Sequence, residues 1–233
     1  MPEPRARILA AWGVHLYTAL GLPLSLLGIQ ALSEGDAGRF LLLNILAVFI
    51  DSTDGTLARR LRVKELVPFD GALLDNIVDF LTYTFLPAIA LWQLRLLPPE
   101  LAWLAALPVM ASGYQFCQTG AKTEDAFVGF PSYWNVLIIY LVVLQPPVAL
   151  TVAILIVLSA LVFWPIRYIY PSRTVLLRPL TLALCVLYGL AATALALHPT
   201  ASWAPGLAWA SLSFVGYYLV LSLVHHRRTR STP

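Results

Sequence analysis

Long apolar segments, separated by short polar stretches, dominate the hydropathy pattern of this chain. A helix needs about 20 apolar residues to cross the hydrocarbon core of a bilayer, and most of the segments approach or exceed that length. They are Ile8–Leu32, Phe40–Leu57, Leu73–Leu94, Leu101–Phe116, Tyr133–Leu144, Val148–Ile166, Leu180–Leu197 and Leu207–Val224. The fifth segment is short for a span. The pattern predicts an all-α integral membrane protein with about eight transmembrane helices.

Basic residues are concentrated on one side of the predicted topology. If the N-terminus is cytoplasmic and eight helices follow, 13 of the 15 lysines and arginines are cytoplasmic, and only Arg39 and Arg95 lie on the opposite side. Cytoplasmic loops of membrane proteins are enriched in these residues. Both termini are therefore predicted to be cytoplasmic, and so is the turn from Arg59 to Gly71.

The composition agrees with this topology. Of the 233 residues, 59% are hydrophobic and 12% are charged, which is too apolar for a soluble domain. The pattern shows no internal repeat and no second domain, so residues 1–233 are predicted to form one membrane domain. The net charge of +3 reflects the topology and does not indicate nucleic-acid binding. Cys117 and Cys185 lack the spacing of a metal site, and we expect ordinary buried thiols.

The main polar interruption of the apolar pattern contains four aspartates, Asp51, Asp54, Asp75 and Asp79. Residues three or four apart share one face of a helix, so two paired helices would bring the four carboxylates into one pocket. Single aspartates at helix ends are often caps or solvated groups. Four of them near hydrocarbon would repel each other and need compensating cations. Carboxylate oxygens suit a hard divalent metal pair such as Mg²⁺.

This stretch resembles the signature of the CDP-alcohol phosphatidyltransferases, integral membrane enzymes of phospholipid synthesis. The signature is D-x2-D-G-x2-A-R, a spacer, and G-x3-D-x3-D. Its fixed positions are matched by Asp51, Asp54, Gly55, Ala58, Arg59, Gly71, Asp75 and Asp79. The spacer from Arg60 to Asp70 has eleven residues, which is longer than usual in the family and similar to that of the bacterial phosphatidylcholine synthases.

Other segments also resemble the phosphatidylcholine synthase branch, so the likeness covers most of the chain. They are Gly13-Val-His15, Arg62-Val-Lys64-Glu65, Thr119-Gly120-Ala-Lys122-Thr123-Glu124, Gly129-Phe130-Pro131, Trp134-Asn135, Trp164-Pro165-Ile166 and Arg178-Pro179-Leu180. The resemblance implies transfer of a phosphatidyl group from CDP-diacylglycerol to choline, which gives phosphatidylcholine and CMP. It also implies the bacterial inner membrane, with the site facing the cytoplasm.

The resemblance assigns roles to the matched positions. Asp51, Asp54 and Asp75 would be metal ligands for Mg²⁺ or Mn²⁺, as a pair of ions, and Asp79 would be the fourth ligand or the general base; Asp75 and Asp79 are the catalytic candidates. The small residues Gly55, Ala58 and Gly71 would let the cytidine and its phosphate approach the helices. Arg59 would pair with phosphate oxygens. A substrate phosphate is the expected partner of Lys122, for which a solvated loop residue is the alternative.

The acceptor site is the part for which the sequence has the weakest signal. A quaternary ammonium is bound by aromatic faces, often with a carboxylate nearby. Aromatic residues on the expected cytoplasmic side include Tyr83, Tyr114, Phe130, Tyr133, Trp134 and Tyr168, although core packing or an interfacial position is the more common role for any one of them. The acceptor candidates are Tyr83, Tyr114, Trp134, Glu124 and His15.

Two alternatives to a choline phosphatidyltransferase are considered. A related enzyme would use serine, inositol phosphate or glycerol phosphate as acceptor. A divalent-cation transporter would use the carboxylates as an ion site, but such sites are more often found near the bilayer midplane. The expected partners are CDP-diacylglycerol, choline, CMP and membrane lipids, with no nucleic acid; a homodimer is left open.

Overall fold

The apolar segments form helices that pack into one bundle. The structure is a computed structural model that describes residues 5–123, 125–171 and 173–230. Of residue 230 it describes only the backbone. Its α-helices are α1 (Arg5–Ala19), α2 (Gly21–Ser33), α3 (Ala37–Arg60), α4 (Val63–Leu66), α5 (Gly71–Asp79), α6 (Leu86–Gln93), α7 (Ala106–Cys117), α8 (Trp134–Leu144), α9 (Val148–Val162), α10 (Arg178–Leu197) and α11 (Ala204–Arg230). A π-helical segment, Phe80–Phe85, joins α5 to α6, and a 3₁₀ segment, Pro99–Ala105, precedes α7.

Several of these helices have the length and composition of membrane spans. Within the part of the chain that the structure describes, five helical stretches are long and apolar enough to cross a bilayer: Arg5–Ser33, Ala37–Arg60, Gly71–Gln93, Arg178–Leu197 and Ala204–Thr229. Large apolar side chains such as Leu9, Met110 and Leu190 are exposed on the helices, as expected of a surface that faces lipid. The prediction of an all-α membrane protein is confirmed. The number of eight spans and the side of the termini stay predictions.

The shortest predicted span, α8, lies at the centre of the bundle. Seven of its 11 residues are buried, among them Ile138 and Leu141. Helices α3, α6, α10 and α11 pack around it, and the Asn44 side chain of α3 donates a hydrogen bond of 2.9 Å to the Asn135 carbonyl. Eleven residues rise only about 16 Å, roughly half a bilayer. Burial within protein therefore explains the apolar composition of α8.

A small two-stranded sheet, which the sequence analysis did not predict, lies between the helix ends. Strand β1 (Ala126–Val128) pairs antiparallel with β2 (Arg167–Ile169). The chain before β1 folds back as a hairpin, closed by backbone hydrogen bonds of 2.8 Å from Thr123 to Ala126 and 2.9 Å from Val128 to Ala121. Three-residue strands are too short to show a sequence period. The connection between α7 and α8 is therefore a folded unit rather than a solvated loop.

Candidate active site

The four aspartates of the signature come together where α3 packs near α5. One carboxylate oxygen from each of Asp51, Asp54 and Asp75 lies within 4.8 Å of the others. Asp79 lies one helical turn beyond Asp75, and its carboxyl group is close to that of Asp51. The spacings of three and four residues put each pair on one helix face. Helix α1 packs against both α3 and α5, and the two faces lie close enough for their carboxylates to meet.

The aspartates differ in their access to solvent. Asp54 and Asp79 are buried, with 4% and 9% of their surfaces exposed. Asp51 and Asp75 are partly exposed. The Asp75 side chain lines an open cleft of about 510 Å³, so it marks the entrance of the carboxylate pocket, with Asp79 behind it. A substrate that reaches this pocket through the cleft would meet Asp75 first.

The donor set fits divalent metal ions. Three carboxylates whose oxygens approach within 4.8 Å repel one another unless a cation lies among them. Hard oxygen ligands are those that Mg²⁺ and Mn²⁺ prefer. The residues that could hold such ions are therefore Asp51, Asp54 and Asp75, and Asp79 is adjacent to them.

Two hydroxyl groups orient the aspartates of α3. The Tyr83 hydroxyl donates a hydrogen bond of 2.6 Å to Asp51 Oδ2, and the Thr18 hydroxyl donates one of 2.7 Å to Asp54 Oδ2. The contact of Tyr83 with the acceptor stays a prediction, and its hydroxyl contacts a carboxylate of the pocket. Thr18 was missed. Its signal was present, since Thr18 follows His15 by three residues and both are buried polar groups of an apolar helix.

The helix changes its winding directly after Asp79. Residues Phe80–Phe85 are π-helical, and Tyr83 lies within this segment. The Thr82 hydroxyl donates a hydrogen bond of 2.9 Å to the Val78 carbonyl, which keeps that group paired inside the wide turn. Short π-helical segments occur frequently at functional sites. Here the segment carries the tyrosine that contacts Asp51.

Gly71 provides space for a side chain of α1. A Cβ atom on Gly71 would lie 2.6 Å from Cε1 and 3.0 Å from Nδ1 of His15. His15 is buried, its ring centroid is 4.6 Å from that of Phe69, and its Nε2 has no hydrogen-bond partner among the described residues. The glycine that was expected to admit the nucleotide thus also admits the His15 ring, which places this acceptor candidate beside α5.

The remaining small and basic positions of the signature lie along the last turns of α3. Ala58 packs against an apolar cluster of α1 and the α4 region that includes Ala11 and Val63. The exposed Arg59 guanidinium folds back along the helix, where Nη2 donates a hydrogen bond of 3.0 Å to the Thr56 hydroxyl. A Cβ atom on Gly55 would lie 3.2 Å from Arg59 Nη1. In this arrangement the guanidinium covers the backbone at Gly55.

Lys122 reaches the carboxylates from the hairpin before β1. Its Nζ lies 3.2 Å from Asp75 Oδ2. Burial would lower the pKa of Lys122, but the nearby carboxylates of Asp75 and Asp79 raise it, and the net effect is a raised pKa. The ammonium group is therefore retained at neutral pH. The Lys122 side chain is 40% exposed, so the residue is solvated while its ammonium group is paired with Asp75, and its role toward a substrate phosphate stays a prediction.

The cleft beside Asp75 carries a positive lining. Lys64, Lys122 and Arg173 all face it, and Asn76 and Cys117 complete the wall near Asp75. Cys117 is exposed, so the expectation of a buried thiol was wrong for this residue. It ends α7, where the apolar segment meets the cleft. Both cysteines are free, as expected.

The other acceptor candidates lie in different surroundings. Tyr114 is half exposed, and its ring packs against Phe163 at a centroid distance of 4.9 Å. Trp134 is buried in the core, where its indole N–H donates a hydrogen bond of 2.8 Å to the Ser112 hydroxyl. Glu124 lies outside the described residues. Of the candidates that the structure describes, Tyr83 is the one in contact with the carboxylates.

A row of aromatic rings leads away from the carboxylate pocket. It begins at Tyr83, whose ring centroid is 6.4 Å from that of Tyr133. The Tyr133 ring is 6.3 Å from that of Phe127 in β1, which stacks at 4.8 Å on Tyr170. Phe127 and Tyr170 were not identified from the sequence. They enter the row through the unpredicted sheet, which places β1 beside the chain that follows β2.

Known proteins similar to this chain agree with the signature. No protein-family model matches the chain. It is 36% identical over 225 residues to a phosphatidylcholine synthase of Legionella pneumophila, which covers 91% of this chain and 87% of the relative. It is 39% identical to one of Mesorhizobium japonicum, over 81% of this chain and 73% of the relative. Identity to one of Pseudomonas aeruginosa is 40%, over 74% of each chain. The chain therefore belongs to the phosphatidylcholine synthase family of CDP-alcohol phosphatidyltransferase enzymes.

Proposed function

We propose that this protein transfers the phosphatidyl group of CDP-diacylglycerol to choline in a metal-dependent reaction that releases CMP. The names of the relatives support the acceptor and the donor. The observation that carries the metal dependence is the meeting of Asp51, Asp54 and Asp75, with one oxygen of each within 4.8 Å of the others. Mg²⁺ or Mn²⁺ ions bound there would neutralise the diphosphate oxygens and hold the reacting groups in line.

The reaction requires that the acceptor hydroxyl lose a proton. The choline oxygen forms a bond to the phosphorus that carries the diacylglycerol, and the bond from that phosphorus to the oxygen of CMP breaks. Asp79 accepts the hydroxyl proton in this proposal. Its support is position, because Asp79 is buried, one helical turn beyond Asp75, and close to Asp51. A carboxylate at the inner end of the pocket is available to an acceptor and is less available to bulk water.

The donor's phosphates are assigned to the cleft beside Asp75. Lys122 is already directed to this carboxylate, and Lys64 and Arg173 line the same cleft. Ammonium and guanidinium groups suit phosphate oxygens through charge-assisted hydrogen bonds. Arg59, at the end of α3, is exposed and is assigned to the same phosphates. Gly55, Ala58 and Gly71 remain the positions where a larger side chain would narrow the approach.

The choline headgroup is assigned to the aromatic side of the pocket. Tyr83 links the two parts, because its hydroxyl contacts Asp51 while its ring begins the aromatic row. Cation–π contacts between a quaternary ammonium and such rings contribute about 0.5–2 kcal/mol each. Tyr83 and Tyr133 are thus the leading choline contacts. His15 stays a candidate, since its Nε2 is buried without a partner among the described residues.

The site is proposed to face the cytoplasm at the bacterial inner membrane. The basic residues near the pocket, Lys64, Lys122 and Arg173, belong to the side that holds most of the lysines and arginines. Asp54 is six residues from the end of α3, and Asp75 is four residues into α5, so both lie close to helix ends. A site near this side has access to soluble choline and releases CMP to the cytoplasm.

A comparison of acceptors in separate reactions tests the proposal. Purified protein in detergent, with CDP-diacylglycerol and Mn²⁺ or Mg²⁺, would receive labelled choline, serine, glycerol 3-phosphate or inositol phosphate in parallel. We expect labelled phosphatidylcholine and an equal amount of CMP from choline alone, and no product after chelation of the metal. Labelled lipid from an anionic acceptor would overturn the choline assignment. Mn²⁺ flux into vesicles without CMP release would instead support the transporter alternative.

A further inference from the structure

The hairpin that carries Lys122 is attached to the rest of the protein at Asp125. Within the hairpin, the Thr123 hydroxyl donates a hydrogen bond of 3.0 Å to Asp125 Oδ1 and accepts one of 3.1 Å from the Ala126 backbone N–H. The Asp125 carbonyl accepts a hydrogen bond of 3.1 Å from the Tyr170 backbone N–H. Asp125 therefore connects the turn of the hairpin with the chain after β2.

Two basic side chains from distant parts of the sequence meet the Asp125 carboxylate. Arg167 Nη2 of β2 lies 3.2 Å from Oδ1, and His225 Nε2 of α11 lies 3.1 Å from Oδ2. The same two segments are joined to each other, because the Arg167 backbone N–H donates a hydrogen bond of 3.2 Å to His226 Nδ1. The last turns of α11 and strand β2 thus lie on two sides of one carboxylate of the hairpin, with Arg167 paired to it and His225 Nε2 close by.

The charge of Asp125 is favoured by this arrangement. Partial burial would raise the pKa of Asp125, but the Thr123 hydroxyl, Arg167 and His225 lower it, and the net pKa is below the ordinary value. The group is ionised at neutral pH. Its negative charge lies on the side of the hairpin next to α11, while the positive charge of Lys122 is directed to Asp75 on α5.

We propose that Asp125, paired with Arg167 and close to His225, is a positioning residue that fixes the reach of Lys122 toward Asp75 and toward the phosphates of the donor. This inference rests on the proposed role of Lys122 in phosphate binding. It makes the C-terminal end of α11 a support of the active site, although α11 contributes none of the signature residues. Asp125 acts through Lys122 and does not itself contact the substrate.

The ion pair of Asp125 is expected to contribute little to the global stability of the protein. The side chains of Asp125 and Arg167 are 45% and 33% exposed, and exposed ion pairs contribute little to global stability. The backbone hydrogen bonds of the hairpin between Thr123 and Ala126 and between Val128 and Ala121 do not involve the carboxylate. Loss of Asp125 should therefore loosen the Lys122 side of the hairpin without unfolding the protein.

A double-mutant cycle between Asp125 and Lys122 tests the proposal, with Asp125→Asn, Lys122→Met and the double variant compared in choline-dependent CMP release. We expect Asp125→Asn to lower kcat/KM for CDP-diacylglycerol about tenfold and to change it less than about twofold when Lys122 is already Met, because residues that act through one contact are not additive. The melting temperature in detergent should be unchanged. His198→Gln, at the C-terminal end of α10, is the control and should leave kcat/KM for CDP-diacylglycerol unchanged.

The outcomes separate this inference from the proposed function. An active Lys122→Met variant with unchanged kinetics would remove the phosphate role of Lys122, and the inference with it. An impaired Lys122→Met variant combined with equal losses from Asp125→Asn in both backgrounds would overturn the inference alone. If Asp125→Asn does not give folded protein, His225→Gln and Arg167→Gln enter the same cycle, and additive losses there would overturn the inference equally.

Discussion

The hydrogen bond from Tyr83 to Asp51 connects the metal site with the acceptor site, and Tyr83→Phe separates the two. The substitution removes one hydroxyl group and keeps the ring. The hydroxyl oxygen of Tyr83 lies 2.6 Å from Asp51 Oδ2, within the short range of hydrogen bonds to an ionised acceptor. Such bonds contribute about 1.5–3 kcal/mol. Loss of a group that orients a metal ligand typically weakens metal affinity by about 10- to 100-fold, which agrees with that energy.

The assay is a titration of choline-dependent CMP release with Mn²⁺. We expect the half-saturating Mn²⁺ concentration of Tyr83→Phe to rise by about 10- to 100-fold, with the KM for choline nearly unchanged because the ring is retained. Tyr83→Leu, which also removes the ring, should raise the KM for choline as well. This second effect would support the assignment of the headgroup to the aromatic side of the pocket.

The control for this prediction is Tyr17→Phe. The Tyr17 hydroxyl of α1 is 2.8 Å from the Thr53 hydroxyl of α3. Tyr17→Phe therefore also removes a tyrosine hydroxyl that contacts α3, but this hydroxyl is paired with another hydroxyl and not with a carboxylate. Its Mn²⁺ dependence should equal that of the unaltered protein. The reasoning is refuted if Tyr83→Phe leaves the half-saturating concentration unchanged, or if Tyr17→Phe shifts it by the same factor.

Three further predictions concern the signature and Lys122. Gly71→Ala would place a Cβ 2.6 Å from His15 and should destabilise the fold by about 1–3 kcal/mol. Gly13→Ala, whose Cβ would have no atom within 4 Å, should not destabilise it. Equal melting temperatures of the two variants would contradict this prediction. Asp79→Asn should abolish turnover while CDP-diacylglycerol binding stays measurable, and near-normal turnover would remove the proposed base. Because the pKa of Lys122 is raised, its ion pair is complete below the ordinary lysine pKa of about 10.4 and is lost only as the pH rises through the higher folded value. The kinetic difference between Lys122→Met and the unaltered protein should therefore stay constant from about pH 7 to 9, and a steady decline there would contradict the ion pair.

The likeness to phosphatidylcholine synthases and the tertiary arrangement support different parts of the proposal. The relatives indicate the reaction and its acceptor, and they say nothing about which side chains meet. The structure brings Asp51, Asp54 and Asp75 together and adds Thr18 and Tyr83 as their hydroxyl partners. The metal dependence and the choline contacts rest on these meetings.

The spacing of the aspartates could be interpreted without the tertiary structure because it is a local property. A helix fixes the directions of residues three and four apart, so Asp51 with Asp54 and Asp75 with Asp79 share faces wherever the helices lie. The apolar segments are local in the same sense, since their length and composition indicate helices that can cross a membrane. The family signature draws on both properties.

Other features depend on which distant segments pack together. The contact between Gly71 and His15 and the exposure of Cys117 have no signature in local spacing. The role of α8 as a buried centre was not evident, because a helix inside protein and a helix facing lipid are both apolar. Periodicity alone does not distinguish the two environments.

The sequence by itself determined the class of the fold, the aspartate faces and the family, because these follow from composition, helix geometry and matched residues over most of the chain. Only the tertiary structure decided how Lys122 reaches Asp75 and how Asp125 joins it to α11. The reason is physical: the hairpin and β2 are short, so their positions follow from pairing with each other and from contacts with helices more than 40 residues away along the chain.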